Sequence, residues 1–255
     1  MVFFIMIPTH YPKFAMIGAW ALLLSWGCSE SQSLSVGVGV GFTRADGKAV
    51  PKTLLWPSRF HAILNLKNKD SYDTIVIGDS ITMLWGGLHT ANTPELVSPE
   101  SWQRTFGAHA LNLGFGSDST ESTIWRINHG ELNGFHPKKV YVFIGTNDLG
   151  NEQRSAMDTA LGIEEVCVLA KAKTGAIPTV IGVLPRFPKP GRKEPKPGAV
   201  AEVDTTISKW CHAHGYGFIQ WSLKPSELRD GLHPTPQGYE ALSRKSTSWF
   251  HHCRM

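Results

Sequence analysis

Five short runs of largely apolar residues, four of them rich in β-branched or aromatic residues, recur along this chain at residues 74–77, 110–113, 139–144, 178–184 and 216–220. Each has the length of a buried strand, and Gly78, Pro185 and Gly215 mark ends or entries of three of them. Helical patterns separate the runs. The clearest covers residues 153–173, where Ala156, Ala160, Ile163, Cys167 and Ala170 form one apolar stripe at three- and four-residue spacing and Gly175 supplies a stop. Residues 200–214 and 237–250 are two further candidates, the second opened by Thr235 as cap and Pro236 at the first helical position. Arg59, Phe60, Ile63 and Leu64 suggest another helix near Trp56. Strand alternating with helix predicts an α/β domain with a parallel sheet covered on both faces. In such sheets the functional site lies beyond the carboxyl ends of the strands.

The chain has 255 residues, 42% of them hydrophobic, which suffices for one full core. Its net charge of +4 is too small and too dispersed for a nucleic-acid surface. Residues 14–27 are apolar and follow Lys13, a run too short to span a membrane comfortably but suited to the core of a secretory leader. The organisation expected is a leader over 1–28, a Ser/Gly-rich linker over 29–52 and a folded domain over 53–255, with a secreted or cell-envelope location. Gly27-Cys28 resembles a lipoprotein processing site, although Ser25 stands where Leu is usual. Ordinary cleavage, membrane attachment through an acylated Cys28 and a retained anchor all remain open. The four cysteines do not make a disulfide framework; Cys211 and Cys253 could pair in an oxidising compartment. No Cys/His spacing suits zinc, and His212, His214, His251 and His252 read as exposed polar residues.

Chemistry concentrates where the predicted strands end. Gly78-Asp79-Ser80 follows the first run and opens a helix, which would expose the Ser80 hydroxyl at the sheet edge and leave its N–H without a helical partner. The plainer alternative is that Ser80 only caps the helix. Gly145-Thr146-Asn147-Asp148 follows the third run; Gly145 permits a sharp turn, and the Asn147 amide can donate toward an oxygen held near Ser80. Turn chemistry alone would also favour Asn and Asp here. Asp230 and His233 stand three apart on a Gly-containing turn before Pro234. That spacing lets the carboxylate reach Nδ1 and turn Nε2 toward a serine as general base. A serine hydroxyl needs such a base to become a nucleophile.

Together with Asn112-Leu113-Gly114-Phe115-Gly116, these pieces form four blocks in order, and the sequence resembles the SGNH, or GDSL, hydrolase superfamily over roughly residues 73–250. The resemblance implies a three-layer α/β/α sandwich with a flavodoxin-like sheet. It implies Ser80 as nucleophile, Asp230 and His233 as its partners, and an oxyanion hole from Ser80, Asn147 and the second-block residue five after Asn112. The family has glycine at that last place and this chain has Ser117, which keeps the N–H, adds a side chain near the acyl group and restricts the backbone. Trp125-Arg126-Ile127, Gly130-Glu131-Leu132 and Leu184-Pro185-Arg186 resemble the branch of the platelet-activating-factor acetylhydrolase catalytic subunits and their bacterial relatives. A serine esterase of short acyl groups on a carbohydrate or related alcohol is therefore expected, without metal or organic cofactor. A phospholipid-acetyl esterase or lysophospholipase, and a non-catalytic carbohydrate-binding protein on a hydrolase fold, are the alternatives.

Three further features bear on specificity. Residues 186–198 hold five basic residues and four prolines, which fits either a rim favouring anionic or sugar-rich substrates or a solvated loop. Residues 86–101 read as a long polar insertion. Trp85, Trp102 and Trp125 could stack on sugars, though aromatics at helical positions more often pack in a core.

Overall fold

The computed structural model describes residues 56–87 and 95–252, the last six as backbone only. The leader and linker expected over residues 1–52, with Cys28, lie outside these residues, as does Cys253.

The five runs form strands β1 (Thr74–Gly78), β2 (Ala110–Gly114), β3 (Lys139–Phe143), β4 (Pro178–Ile181) and β5 (Gly217–Ile219). All are parallel, in the order β2-β1-β3-β4-β5, the flavodoxin-like arrangement. Gly78 is in register with both Gly114 and Phe143. The loops after β1, β2 and β3 therefore leave the sheet side by side, and the first three sequence blocks are neighbours for that reason.

Alternation along the strands divides the core between two faces. Ile75, Ile77, Leu111, Leu113, Val140 and Val142 point into a cluster with helices α1 (Trp56–Leu64), α6 (Ala156–Thr174) and α7 (Ala199–His214). Helix α4 (Thr120–Asn128) adds Ile127 to that layer. Val76, Tyr141 and Phe143 point the other way, toward α2 (Ser80–Trp85), α3 (Pro99–Phe106) and α8 (Pro236–His252). The result is a three-layer α/β/α sandwich.

The departures from expectation are local. Helix α6 starts at Ala156 rather than 153 because Ser155 caps it, its Oγ accepting the Asp158 N–H at 3.0 Å. Gln153 has a left-handed φ of 55° and cannot belong to the helix. Strand β4 ends at Ile181, yet Gly182 still donates to the Ile219 carbonyl at 2.9 Å. The supposed polar insertion ends in α3, whose Trp102 and Phe106 are buried in the core. Trp85 and Trp102 are core residues, and Trp125 stacks on His129. Cys167 and Cys211 are buried free thiols, and burial pushes Cys211 up to about 12.

Candidate active site

Helix α2 is capped by Asp79, not by Ser80: Asp79 Oδ1 accepts the Ile81 N–H at 2.8 Å. The cap alternative for Ser80 is thereby removed, and its hydroxyl is free for other work. Ser80 Oγ lies 2.9 Å from His233 Nε2. On the far side of the ring, His233 Nδ1 lies 2.8 Å from Asp230 Oδ2. Helix α2 can lie this close to the end of β2 because Gly114 has no side chain; a Cβ there would stand 2.3 Å from the Met83 nitrogen.

The turn carrying Asp230 and His233 is shaped by the same carboxylate. Asp230 Oδ1 accepts the N–H groups of Leu232 (3.0 Å) and His233 (2.7 Å), a local side-chain turn that fixes the three-residue spacing. Arg192 clamps it from outside. Its Nη1 donates to the Asp230 carbonyl at 2.9 Å, its Nη2 to the Phe187 carbonyl, and its Nε meets Glu194 at 2.8 Å. From α8, the buried Tyr239 hydroxyl donates to the Ile81 carbonyl at 2.7 Å, tying α8 to the Ser80 helix.

Burial alone would raise the Asp230 carboxyl; the hydrogen bonds from the His233 ring and from the His233 and Leu232 N–H groups outweigh it and hold it well below the usual carboxylate range. Burial lowers His233 below its ordinary 6.5, helped by the Arg229 and Arg186 charges and opposed by Asp230. Neutral imidazole, the form a general base needs, therefore prevails at neutral pH.

Opposite this trio stands Asn147, on the single-turn helix α5 (Thr146–Leu149), which Gly145 enters at φ 122°. A chain of hydrogen bonds fixes its amide. Arg186 Nη2 donates to Asn151 Oδ1 (3.3 Å), Asn151 Nδ2 to Asn147 Oδ1 (2.9 Å), and Asn147 Nδ2 to the Asp118 carbonyl (2.8 Å). The last acceptor settles which end of the amide is nitrogen, and one N–H remains for the pocket. Asp118 is itself anchored: its carboxylate accepts from Trp56 Nε1 at 2.5 Å and Arg126 Nε at 2.8 Å, and Arg126 also meets Glu131. Burial pushes both carboxyls up while the Arg126 guanidinium between them pulls down. Asn112 is structural, its amide donating to the Thr82 and Gly86 carbonyls at 2.7 and 2.6 Å. Ser117 has φ 64°, the left-handed conformation that glycine adopts without strain.

Ser80, Ser117, Asn147, Asp230 and His233 all line one cavity of about 520 Å³. A larger cavity, about 900 Å³, also borders the 186–198 segment; its wall includes Arg186, Pro195, Lys196, Lys209 and Phe218 but not Ser80. Sequence reasoning missed Asn151, Asp118 and Arg192. The first carried a signal, its place four residues after Asn147, one helical turn on; the other two act through backbone carbonyls, for which no sequence signal exists. Among the described residues no group of three or more His, Cys, Asp or Glu could hold a metal.

A parallel sheet in this order, with a serine, histidine and aspartate in hydrogen-bond contact at its carboxyl edge, defines the class: an α/β carboxylic ester hydrolase. The chain belongs to the GDSL-like lipase/acylhydrolase family, which it matches over residues 76–241. It is 30% identical over 198 residues to the platelet-activating factor acetylhydrolase IB subunit alpha1 of Rattus norvegicus, covering 74% of this chain and 79% of that one. The human alpha2 subunit is 29% identical over 199 residues, at 74% and 80% coverage. Among solved structures, a GDSL-like lipase from Bacteroides thetaiotaomicron superposes with a TM-score of 0.57 at 19% identity, over 78% of this chain and 96% of that one. A carbohydrate acetylesterase from Sinorhizobium meliloti gives a TM-score of 0.50 at 17% identity, over 70% and 99%. Both structures share the fold.

Proposed function

We propose that this esterase removes short acyl groups, acetyl foremost, from O-esters of a carbohydrate or related alcohol through an acyl-enzyme on Ser80. The observation that carries the mechanism is the relay from Ser80 Oγ to His233 Nε2 at 2.9 Å and from His233 Nδ1 to Asp230 at 2.8 Å. His233 takes the Ser80 proton as Oγ attacks the carbonyl carbon, and returns it to the alcohol oxygen as the ester C–O bond breaks. Water then adds to the acyl carbon with His233 again as base, releasing the carboxylic acid and restoring Ser80. The tetrahedral oxyanion is held by the N–H groups of Ser80 and Ser117 and the remaining Asn147 amide N–H.

The short-acyl reading is supported by Ser117, which lines the cavity and carries a hydroxymethyl group where glycine would carry none. Relatives that act on acetyl groups, one set on platelet-activating factor and one on carbohydrate, support acetyl as the leaving acid. The phospholipid-acetyl reading keeps its support in the 30% identity to the former.

A fluorophosphonate probe should label Ser80 covalently, and Ser80→Ala should lose both labelling and turnover of p-nitrophenyl acetate, by roughly 10⁴ or more. Retention of most esterase activity by Ser80→Ala would remove Ser80 from this role. Rates on p-nitrophenyl acetate, butyrate and octanoate, beside a panel of acetylated sugars, test the acyl and alcohol halves.

A further inference from the structure

We propose that the ester cleaved here carries an anionic group on its alcohol side, seated against Arg186 and Lys189. This rests on the acyl-transfer reading above and adds the charge of the substrate to it.

The cavity that holds Ser80 and His233 is lined by three cationic side chains, Arg186, Lys189 and Arg192, and by one carboxylate, Asp230. Two of these four charges are already used. Asp230 is committed to His233, and Arg192 to Glu194 and to the Asp230 and Phe187 carbonyls. Arg186 is different. Its Nη1 meets the Thr146 carbonyl at 2.9 Å and its Nη2 the Asn151 amide oxygen at 3.3 Å, both neutral acceptors. Its Nε is buried without a hydrogen-bond partner. Burial lowers the Arg186 guanidinium, the Arg192 charge adds to that, and the Glu194, Asp79 and Asp230 carboxylates oppose it. Lys189 is exposed and, among the described residues, meets no acid. Neither Arg186 nor Lys189 makes a direct ion pair among the described residues, although the Glu194, Asp79 and Asp230 charges act on Arg186 from further off.

The segment that bears them is one-sided throughout. Of its charged residues, five are basic and Glu194 alone is acidic, and one oxygen of that acid pairs with Arg192. A half-buried guanidinium with neutral partners is costly to keep unless something negative completes it. A bound anion does so, and a cleft of one sign also concentrates substrates of the other.

Position decides which half of the ester carries the anion. The leaving alcohol must lie beside His233 Nε2 to receive its proton. The segment carrying Lys189 is stitched to the turn carrying His233: the Phe187 N–H donates to the Gly231 carbonyl at 2.8 Å, and Arg192 grips Asp230. Lys189 therefore flanks the alcohol, with Arg186 on the Asn151 side of the same cavity, and the ligand class is an O-acyl ester of an acidic alcohol, with a carboxylate, phosphate or sulfate near the ester oxygen.

The test uses matched esters, 4-acetoxybenzoate against neutral 4-acetoxybenzamide, and the same pair as butyrates, with each kcat/KM divided by the ester's spontaneous hydrolysis rate. At low salt the charged ester should be favoured roughly tenfold, and the preference should shrink as the Debye length falls to about 3 Å near 1 M salt. Lys189→Ala should cut the charged-to-neutral ratio several-fold. Lys209→Ala, which removes a positive charge from the wall of the other cavity, should leave that ratio as it is. A wild-type ratio at or below one overturns the proposal for either acyl series. So does an equal loss on both esters in Lys189→Ala, which would mean that the cation serves the oxyanion. Preference between acetate and butyrate reads the short-acyl proposal separately, since the charge ratio is taken within one acyl group.

Discussion

Ser117 occupies a backbone conformation that suits glycine. At φ 64° a side chain meets the following carbonyl, which costs on the order of 1 kcal/mol. The loop keeps its shape because Arg59 donates to the Gly114 carbonyl at 2.8 Å, Arg126 stacks on Phe115 at 4.0 Å, and Asp118 is pinned by Trp56 and Arg126. Those contacts lie on both sides of Ser117, and a left-handed φ is one that a glycine there would also adopt. Ser117→Gly should therefore relieve strain without moving the donor. Acetate-ester turnover should stay within about tenfold and the relative rate on butyrate or octanoate should rise, because the crowding group is gone. A lost oxyanion donor costs on the order of 10²–10³. A gain of that size on acetate would show instead that serine had displaced the N–H.

At the scale of elements, Asp79 does what its neighbour was suspected of doing. It caps α2 and so sets the direction in which Ser80 projects. Asp79→Ala should cost about 1 kcal/mol in urea unfolding, and Asp79→Asn, which keeps an acceptor for the Ile81 N–H, much less. Burial pushes the Asp79 carboxyl up to about 7, against its ordinary 3.8. A carboxyl raised by folding contributes stability that is full below 3.8 and lost as pH rises through about 7. The Asn variant cannot titrate, so its stability relative to the natural chain should improve between pH 4 and pH 8. A pH-independent difference would mean that the side chain is ionised throughout. The five strands were legible in sequence because each is a short, largely apolar run beside a glycine or proline, four of them β-branched or aromatic, and α6 because its stripe is regular. Helices α3, α4 and α5 were not. The buried faces of α4 and α5 carry Ser122, Thr123 and Asn147, polar side chains that blur the hydropathy spacing. Helix α3 does carry a signal in Trp102 and Phe106, one turn apart, but its first turn reads as part of a polar insertion. At the site, Ser80, Asn147, Asp230 and His233 were legible because each stands beside a strand end or turn glycine. The clamps were hidden because they bind carbonyls.

For the whole molecule, we propose that residues 1–28 are the leader of a secreted or envelope-attached enzyme and that the hydrolase domain folds without them. A truncated chain beginning at Ser35 should be soluble, monodisperse and active in p-nitrophenyl acetate hydrolysis. If it aggregated while the full chain stayed soluble, the discarded segment would belong to the core. In a membrane fraction, mass spectrometry should find diacylglycerol on Cys28 if the chain is a lipoprotein. The sequence separation within the site has a further bearing on how such an enzyme comes alive. Ser80 and His233 are 153 residues apart, and the serine's helix is tied from the far end of the chain by Tyr239. The proposed nucleophile emerges early in synthesis and its proposed base nearly last. On that mechanism a nascent chain holds an inert serine, and hydrolytic power switches on only when translation is all but finished.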